Sequence, residues 1–172
     1  MNPRFALVFA LSFAASAAAS ASGYTVTVSD VHLCCNSCVK DADKAVAEVA
    51  GASALAVKAS RTITITAADR ATAQKAVDAL VAAGYYGRSS DPAIKVAATS
   101  IPNGNLKSLK VSGVHLCCKR CVSDLNKAVA KIKGVSGTTA VKDAESFEIT
   151  GDFNARDVID ALHQAGFSAQ VD

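Results

Sequence analysis

"VHLCCNSCVKDADKAVAEVAG" runs from Val31 to Gly51, and "VHLCCKRCVSDLNKAVAKIKG" runs from Val114 to Gly134. Direct comparison finds the two stretches identical at 13 of 21 positions. With so long a period and only two copies, this is a duplicated domain and not a solenoid array. Each copy opens with C-C-x-x-C, and these two segments hold all six cysteines of the chain. From the third cysteine onward the apolar residues recur at helical spacing, as Val39, Ala42, Val46 and Val49 and again as Val122, Leu125, Val129 and Ile132. Gly51 and Gly134 follow where a C-cap glycine is expected.

The repeat extends outward on both sides. "YTVTV" (Tyr24 to Val28) and "LKSLKV" (Leu106 to Val111) are β-rich runs leading into the cysteines. Beyond the helix, "ALAVKAS" and "TITIT" read as a hairpin with Ile63 and Ile65 inward, matched by "VSGTTAVK" and "SFEIT" with Phe147 and Ile149 inward. A second helix over about Thr72 to Ala83 carries Ala73, Ala76, Val77 and Leu80, and its counterpart carries Val158, Ile159 and Leu162. Gly84 and Gly166 end these helices, and a short last strand is expected to begin at Tyr85 or Phe167. The order βαββαβ, twice, predicts an α+β protein of two tandem ferredoxin-like domains, each an antiparallel sheet with two helices on one face. The boundaries read as domain 1 over 22–91, a Pro-containing linker over 92–105 and domain 2 over 106–172. At about 65 residues such a domain buries a modest core, so a bound ligand is expected to add stability.

Residues 1–21 read as a signal peptide. Arg4 supplies the positive end, Phe5 to Ala19 the apolar run, and Ala19-Ser20-Ala21 the small-residue cleavage pattern. The run is shorter than the ~20 apolar residues that span a bilayer. The expectation is therefore an exported protein, periplasmic or extracellular, with no membrane span after cleavage. The formal charge is only +3 and the basic residues are interspersed with acidic ones, so nucleic acid is not an expected partner. There is no Ser/His/Asp set, carboxylate pair or phosphate loop, so the chain is not expected to be an enzyme.

The cysteines carry the chemistry. Cys35 and Cys38, like Cys118 and Cys121, form C-x-x-C with the first cysteine on the loop and the second opening the helix. Free helix N–H groups there favour thiolate. Paired soft thiolates suit Cu(I), Hg(II) or Zn(II). Zinc normally takes four ligands, which one copy's cysteines do not supply, whereas Cu(I) accepts two or three, so Cu(I) is favoured. Lys119 and Arg120 fill the second C-x-x-C where Asn36 and Ser37 fill the first, and are expected to make the second set of thiols the more reactive.

These motifs in this order resemble the heavy-metal-associated domains of copper chaperones, of the N-terminal regions of copper-transporting ATPases and of the periplasmic mercury-binding protein. The "AAGY" and "QAGF" endings share the likeness. The resemblance implies that Cys35 and Cys38, and Cys118 and Cys121, are the metal ligands. It also implies partners: the metal ion, and a metal-transport protein or a second domain of the same kind. Where the family reads G-M-x-C-x-x-C, this chain has Leu33 and Leu116 for the methionine, His32 and His115 for the glycine, and Cys34 and Cys117 at the variable position. Leucine for methionine conserves core volume.

Two readings stay open for the added residues. Cys34 and Cys117 are extra ligands, giving three thiolates per copy, or small apolar side chains turned into the sheet. His32 and His115 are ligands, or partners of a thiolate or of a docking protein. Tyr85 and Phe167 shield the metal loop or simply pack, and His163, without a counterpart in the first copy, reads as a helix-surface residue. The resulting function is a soft-metal metallochaperone or sequestering protein. The alternatives are a thiol–disulfide redox protein built on C-x-x-C, and a non-catalytic structural or interaction module.

Overall fold

The structure is a computed structural model that describes residues 23–96 and 100–171; the leader read at 1–21 lies outside them. The first half runs β1 (Tyr24–Ser29), α1 (Asn36–Ala47), β2 (Ala52–Val57), β3 (Thr62–Ala67), α2 (Arg70–Ala82) and β4 (Arg88–Ser89). The second runs β5 (Asn105–Ser112), α3 (Lys119–Val129), β6 (Val135–Thr138), β7 (Ser146–Asn154), α4 (Ala155–Gln164) and β8 (Gln170–Val171). Each half is therefore βαββαβ. The two four-stranded sheets have the orders β2-β3-β1-β4 and β6-β7-β5-β8, with every pairing antiparallel.

The alternation in "TITIT" explains the first sheet. Ile63 and Ile65 are fully buried with Val26 and Val28 of the neighbouring strand, while the threonines between them are only partly covered or exposed. Ala42 and Val46 of α1, and Ala73, Ala76, Val77 and Leu80 of α2, close the core from the other side. The second half repeats this with larger side chains: Phe147, Ile149 and Phe153 of the sheet meet Leu125, Val129, Val158, Ile159 and Leu162. In α1 the buried stripe is Cys38, Ala42 and Val46, with Val39 only half-buried, so the core line begins at the cysteine itself.

Each helix start is specified locally. The Asp69 carboxylate accepts the Thr72 N–H at 2.7 Å and the Asn154 side chain accepts the Arg156 N–H at 2.9 Å, starting α2 and α4. At the other two starts the cap residue is a cysteine, Cys35 or Cys118, and the Cys118 sulfur accepts the Cys121 N–H at 3.4 Å. The helix ends correct one expectation. Gly51 and Gly134 are not the caps of α1 and α3; Glu48 and Ala130 are, and the glycines sit in the turns that follow. At α2 and α4, Gly84 and Gly166 do terminate the helix. Gly84 N–H bonds to Val81 O and Tyr85 N–H to Leu80 O, the paired bonds of a Schellman motif, and Gly166 and Phe167 repeat them.

The last strands also differ from expectation. They begin at Arg88 and Gln170, three residues after Tyr85 and Phe167. Those two aromatics instead form an antiparallel bridge with each other, joining the halves. The expected linker is not wholly free either: Ile94 is buried, and the Gln74 side chain pairs with both backbone groups of Lys95 at 2.7 and 2.8 Å. Among the described residues no helix is long and apolar enough to cross a membrane.

Candidate metal centre

The halves meet around an approximate two-fold arrangement built on two glycine carbonyls. Gly166 O accepts the His32 N–H (3.1 Å) and the Tyr86 N–H (3.2 Å). Gly84 O accepts the His115 N–H (3.4 Å) and the Ser168 N–H (3.0 Å). Rings follow the same pattern: His32 stacks on Phe167 at 4.1 Å and His115 on Tyr85 at 4.6 Å, each histidine on the other half's aromatic. His163 is half-buried and stacks on Tyr86 at 3.7 Å, so it is an interface residue rather than the surface histidine expected from its helix. Loss of water around it holds its pKa below the ordinary histidine value.

This docking brings the two cysteine loops face to face. Cys38 and Cys121 are fully buried and only 4.0 Å apart, sulfur to sulfur, across the junction. Around them Cys34 Sγ lies 3.5 Å from Cys118 Sγ and 3.4 Å from Cys121 Sγ, and Cys117 Sγ lies 3.8 Å from Cys35 Sγ and 3.5 Å from Cys38 Sγ. Within each half, Cys34 is 3.7 Å and Cys35 3.5 Å from Cys38, and Cys117 is 3.7 Å and Cys118 3.4 Å from Cys121. All six are free thiols. The sequence leaves open whether the two three-cysteine loops act separately or pair with a metal bridging them; the structure brings the two into one six-thiol centre. Cys34 and Cys117 turn toward that centre and not into the sheet. The sequence of either copy carries no signal for this, because it arises only from how the copies dock.

Several trios of donors lie close enough to share a metal ion, among them Cys34–Cys35–Cys38 and Cys38–Cys117–Cys121, and His32 joins Cys34 and Cys121 in another. His115 groups with Cys117 and Asp41, and its Nε2 is 3.6 Å from the Asp41 carboxylate. The buried Nε2 atoms of both histidines have no hydrogen-bond partner among the described residues. Desolvation keeps His32 below its ordinary pKa, which favours the neutral imidazole, the form that ligates metal.

The thiols are electrostatically coupled through their proximity. The Cys121 hydrogen bond holds Cys38 far below the ordinary thiol range, and the Cys38 thiolate in turn pushes Cys121 far above it. Because the two sulfurs are related by the two-fold arrangement, the charge belongs to the pair: Cys38 and Cys121 together accept one negative charge readily and resist a second. Burial, with the neighbouring sulfurs, raises Cys34 and Cys117. At Cys118 burial is outweighed by the Cys121 N–H, the Cys121 and Cys34 thiols and the Arg120 backbone N–H, which draw it down to about 7. Its main causes are therefore backbone and sulfur groups, not the Lys119 and Arg120 side chains, which are exposed; Arg120 instead faces Asp124 at 3.7 Å. The expected outcome is that iodoacetamide labelling of Cys118 rises through about pH 7, well before an ordinary thiol at about 8.5. Peptide mapping of the reduced protein across a pH series would check it.

Two clefts lead in from opposite sides and differ in charge. One, about 520 Å³, lies beside Cys34, and its charged lining is Lys58, Arg61, Arg120 and Asp124. The other, about 360 Å³, lies beside Cys117 and is lined by Asp41, Asp143 and Glu145. Behind the thiols, the buried Tyr85 hydroxyl donates to Cys38 O at 2.8 Å and fixes the first turn of α1. Tyr85→Phe should therefore cost about 1 kcal/mol in urea denaturation, the worth of one buried hydrogen bond, while leaving metal stoichiometry unchanged.

No family model matches the sequence, and no curated protein matches it. Among solved structures, the chain is similar to the N-terminal soluble domains of Bacillus subtilis CopA, solved in solution, at 16% identity and TM-score 0.30, covering 87% of this chain and 94% of that one. It is similar also to the water-soluble region of the P-type ATPase CopA from Bacillus subtilis, at 16% identity and TM-score 0.31, covering 87% and 91%. A third likeness, at 10% identity and TM-score 0.23, is to the first two RRM domains of yeast poly(U) binding protein, covering 87% and 98%.

Proposed function

We propose that the chain binds soft metal ions, Cu(I) before Hg(II) or Zn(II), and serves as a metallochaperone or sequestering protein, not as an enzyme. The observation that carries this reading is the convergence of six thiols with sulfur–sulfur distances of 3.4–4.0 Å at one junction. Uncharged by metal, such a cluster is costly: each thiolate beyond the first repels its neighbours in a partly desolvated site. Soft cations relieve that repulsion and replace the protons, which is a reason for the cluster to exist. The repeated βαββαβ order, read as two ferredoxin-like domains with C-C-x-x-C before the first helix of each, supports the same reading, as does the sequence's resemblance to heavy-metal-associated domains. The leader read at residues 1–21 supports an exported location. Partly exposed outer sulfurs beside open clefts suit delivery by ligand exchange to a thiol-bearing metal-transport protein.

The test is anaerobic titration of the reduced protein with Cu(I) in the presence of a competing chelator, with metal content by elemental analysis and sulfur coordination by X-ray absorption. Retention of Cu(I) on sulfur is expected. A protein that yields its metal to a weak chelator, yet exchanges disulfides efficiently with a test substrate, would instead be a redox protein.

A further inference from the structure

The sulfurs do not form two separate sites. Taking each set of three in which every pair lies within 4.0 Å gives four triangles: Cys34–Cys118–Cys121, Cys34–Cys38–Cys121, Cys38–Cys117–Cys121 and Cys35–Cys38–Cys117. Every one of them mixes cysteines from both halves. Successive triangles share an edge, and Cys38 and Cys121 each belong to three. The centre of an equilateral triangle with such an edge lies about 2.0–2.3 Å from each corner, close to a metal–thiolate bond of ~2.3 Å.

We propose that the two halves jointly hold a polynuclear Cu(I)–thiolate cluster, one ion per sulfur triangle and so four per chain, in which Cys34 completes the second half's C-x-x-C and Cys117 completes the first's. This rests on the metal-binding reading and adds to it the nuclearity and the crossing of ligands. Each sulfur that binds gives up its proton to solvent, copper stays Cu(I) throughout, and sulfurs shared between triangles bridge neighbouring ions. Six thiolates with four Cu(I) leave two negative charges, with a cleft carrying Lys58, Arg61, Arg120 and Asp124 beside Cys34 and one carrying Asp41, Asp143 and Glu145 beside Cys117. The added cysteines thereby acquire a role that a single copy cannot give them. The cluster also acts as a clasp, since every ion is held from both sides of the junction.

The whole reduced chain should bind about four Cu(I), appear cooperatively as the loaded form in native mass spectrometry, and show a copper–copper contribution in X-ray absorption. Two ions bound independently without that contribution would overturn the cluster and leave the metal-binding reading standing; no retained Cu(I) would overturn both. A second arm isolates the crossing. The triple variant Cys35→Ser, Cys38→Ser, Cys117→Ser keeps only Cys34, Cys118 and Cys121, and should bind one Cu(I) through three sulfurs. Adding Cys34→Ser should drop the sulfur count to two and weaken binding at least tenfold. If Cys34→Ser changes neither in a variant whose circular dichroism is native, the crossing is wrong. If the triple variant does not fold, the copper–copper measurement on the unmodified chain decides.

Discussion

Gly84→Ala and Gly166→Ala should each destabilise the protein by about 2–4 kcal/mol, and Gly51→Ala by only about 1–2 kcal/mol. All three glycines have positive φ, at +91, +87 and +80, so each substitution carries the left-handed backbone strain. They differ in what a new methyl group would meet. At Gly51 the nearest atoms are side-chain carbons at 3.6 and 3.8 Å, an ordinary contact. At Gly84 a Cβ would lie 2.3 Å from the His115 backbone nitrogen, and at Gly166 2.3 Å from that of His32. Both neighbours are main chain of the opposite half, at the loop that leads into the cysteines. Neither can rotate away, so the halves must separate or the loop must move. The carbonyls that accept four cross-junction N–H bonds belong to these same two glycines. Urea denaturation should show the midpoints falling in the order stated. The reduced variants should also bind Cu(I) with a weaker or absent copper–copper contribution, because the sulfur triangles require the junction. Equal losses for all three variants, with unchanged metal binding, would mean that the close approach contributes nothing.

That junction marks where sequence reasoning stops. The alternation around Ile63 and Ile65, the helical period after Cys38 and the glycines after α2 and α4 are local patterns, and each element they predict is present within a few residues of its predicted place. Such patterns work because a residue's own half decides whether its side chain is buried. Tyr85 and Phe167 show the limit. By pattern they begin a strand or fill a core, and they do become buried, but against the histidine and the backbone of the other half. Docking of two copies depends on shape and on a handful of backbone hydrogen bonds, and neither leaves a periodic trace. The two-copy identity of "HLCC" does record that both loops answer the same demand. It does not record that the demand is each other. Cys34 is the clearest case: adjacent to Cys35 on an extended segment, it is expected to turn the other way, into the sheet, yet both sulfurs reach Cys38, and Cys34 also meets Cys118 and Cys121, which the sequence of its own domain does not contain.

Single replacements of the cysteines should therefore fall into ranked pairs, and the ranking separates one shared centre from two independent loops. Cys38 and Cys121 each take part in three sulfur triangles, Cys34 and Cys117 in two, and Cys35 and Cys118 in one. Cys38→Ala or Cys121→Ala should leave a single complete triangle and reduce Cu(I) capacity from about four to about one. Cys34→Ala or Cys117→Ala should leave about two, and Cys35→Ala or Cys118→Ala about three. Two independent loops predict something else. There, losing Cys35 would be as severe as losing Cys38, since each is half of a C-x-x-C, and a change in one copy would leave the other copy's capacity untouched. The buried positions carry a second cost, because alanine at Cys38 or Cys121 also leaves a gap where sulfur packed against the core of its helix. Replacement by serine at the same positions fills that space without supplying a soft donor, so agreement between the alanine and serine series would assign the loss to coordination and not to unfolding. Elemental analysis of chelator-challenged, anaerobically loaded protein gives the counts. The order Cys38 and Cys121, then Cys34 and Cys117, then Cys35 and Cys118 is the expected result; equal effects within each C-x-x-C pair would return the protein to two separate sites.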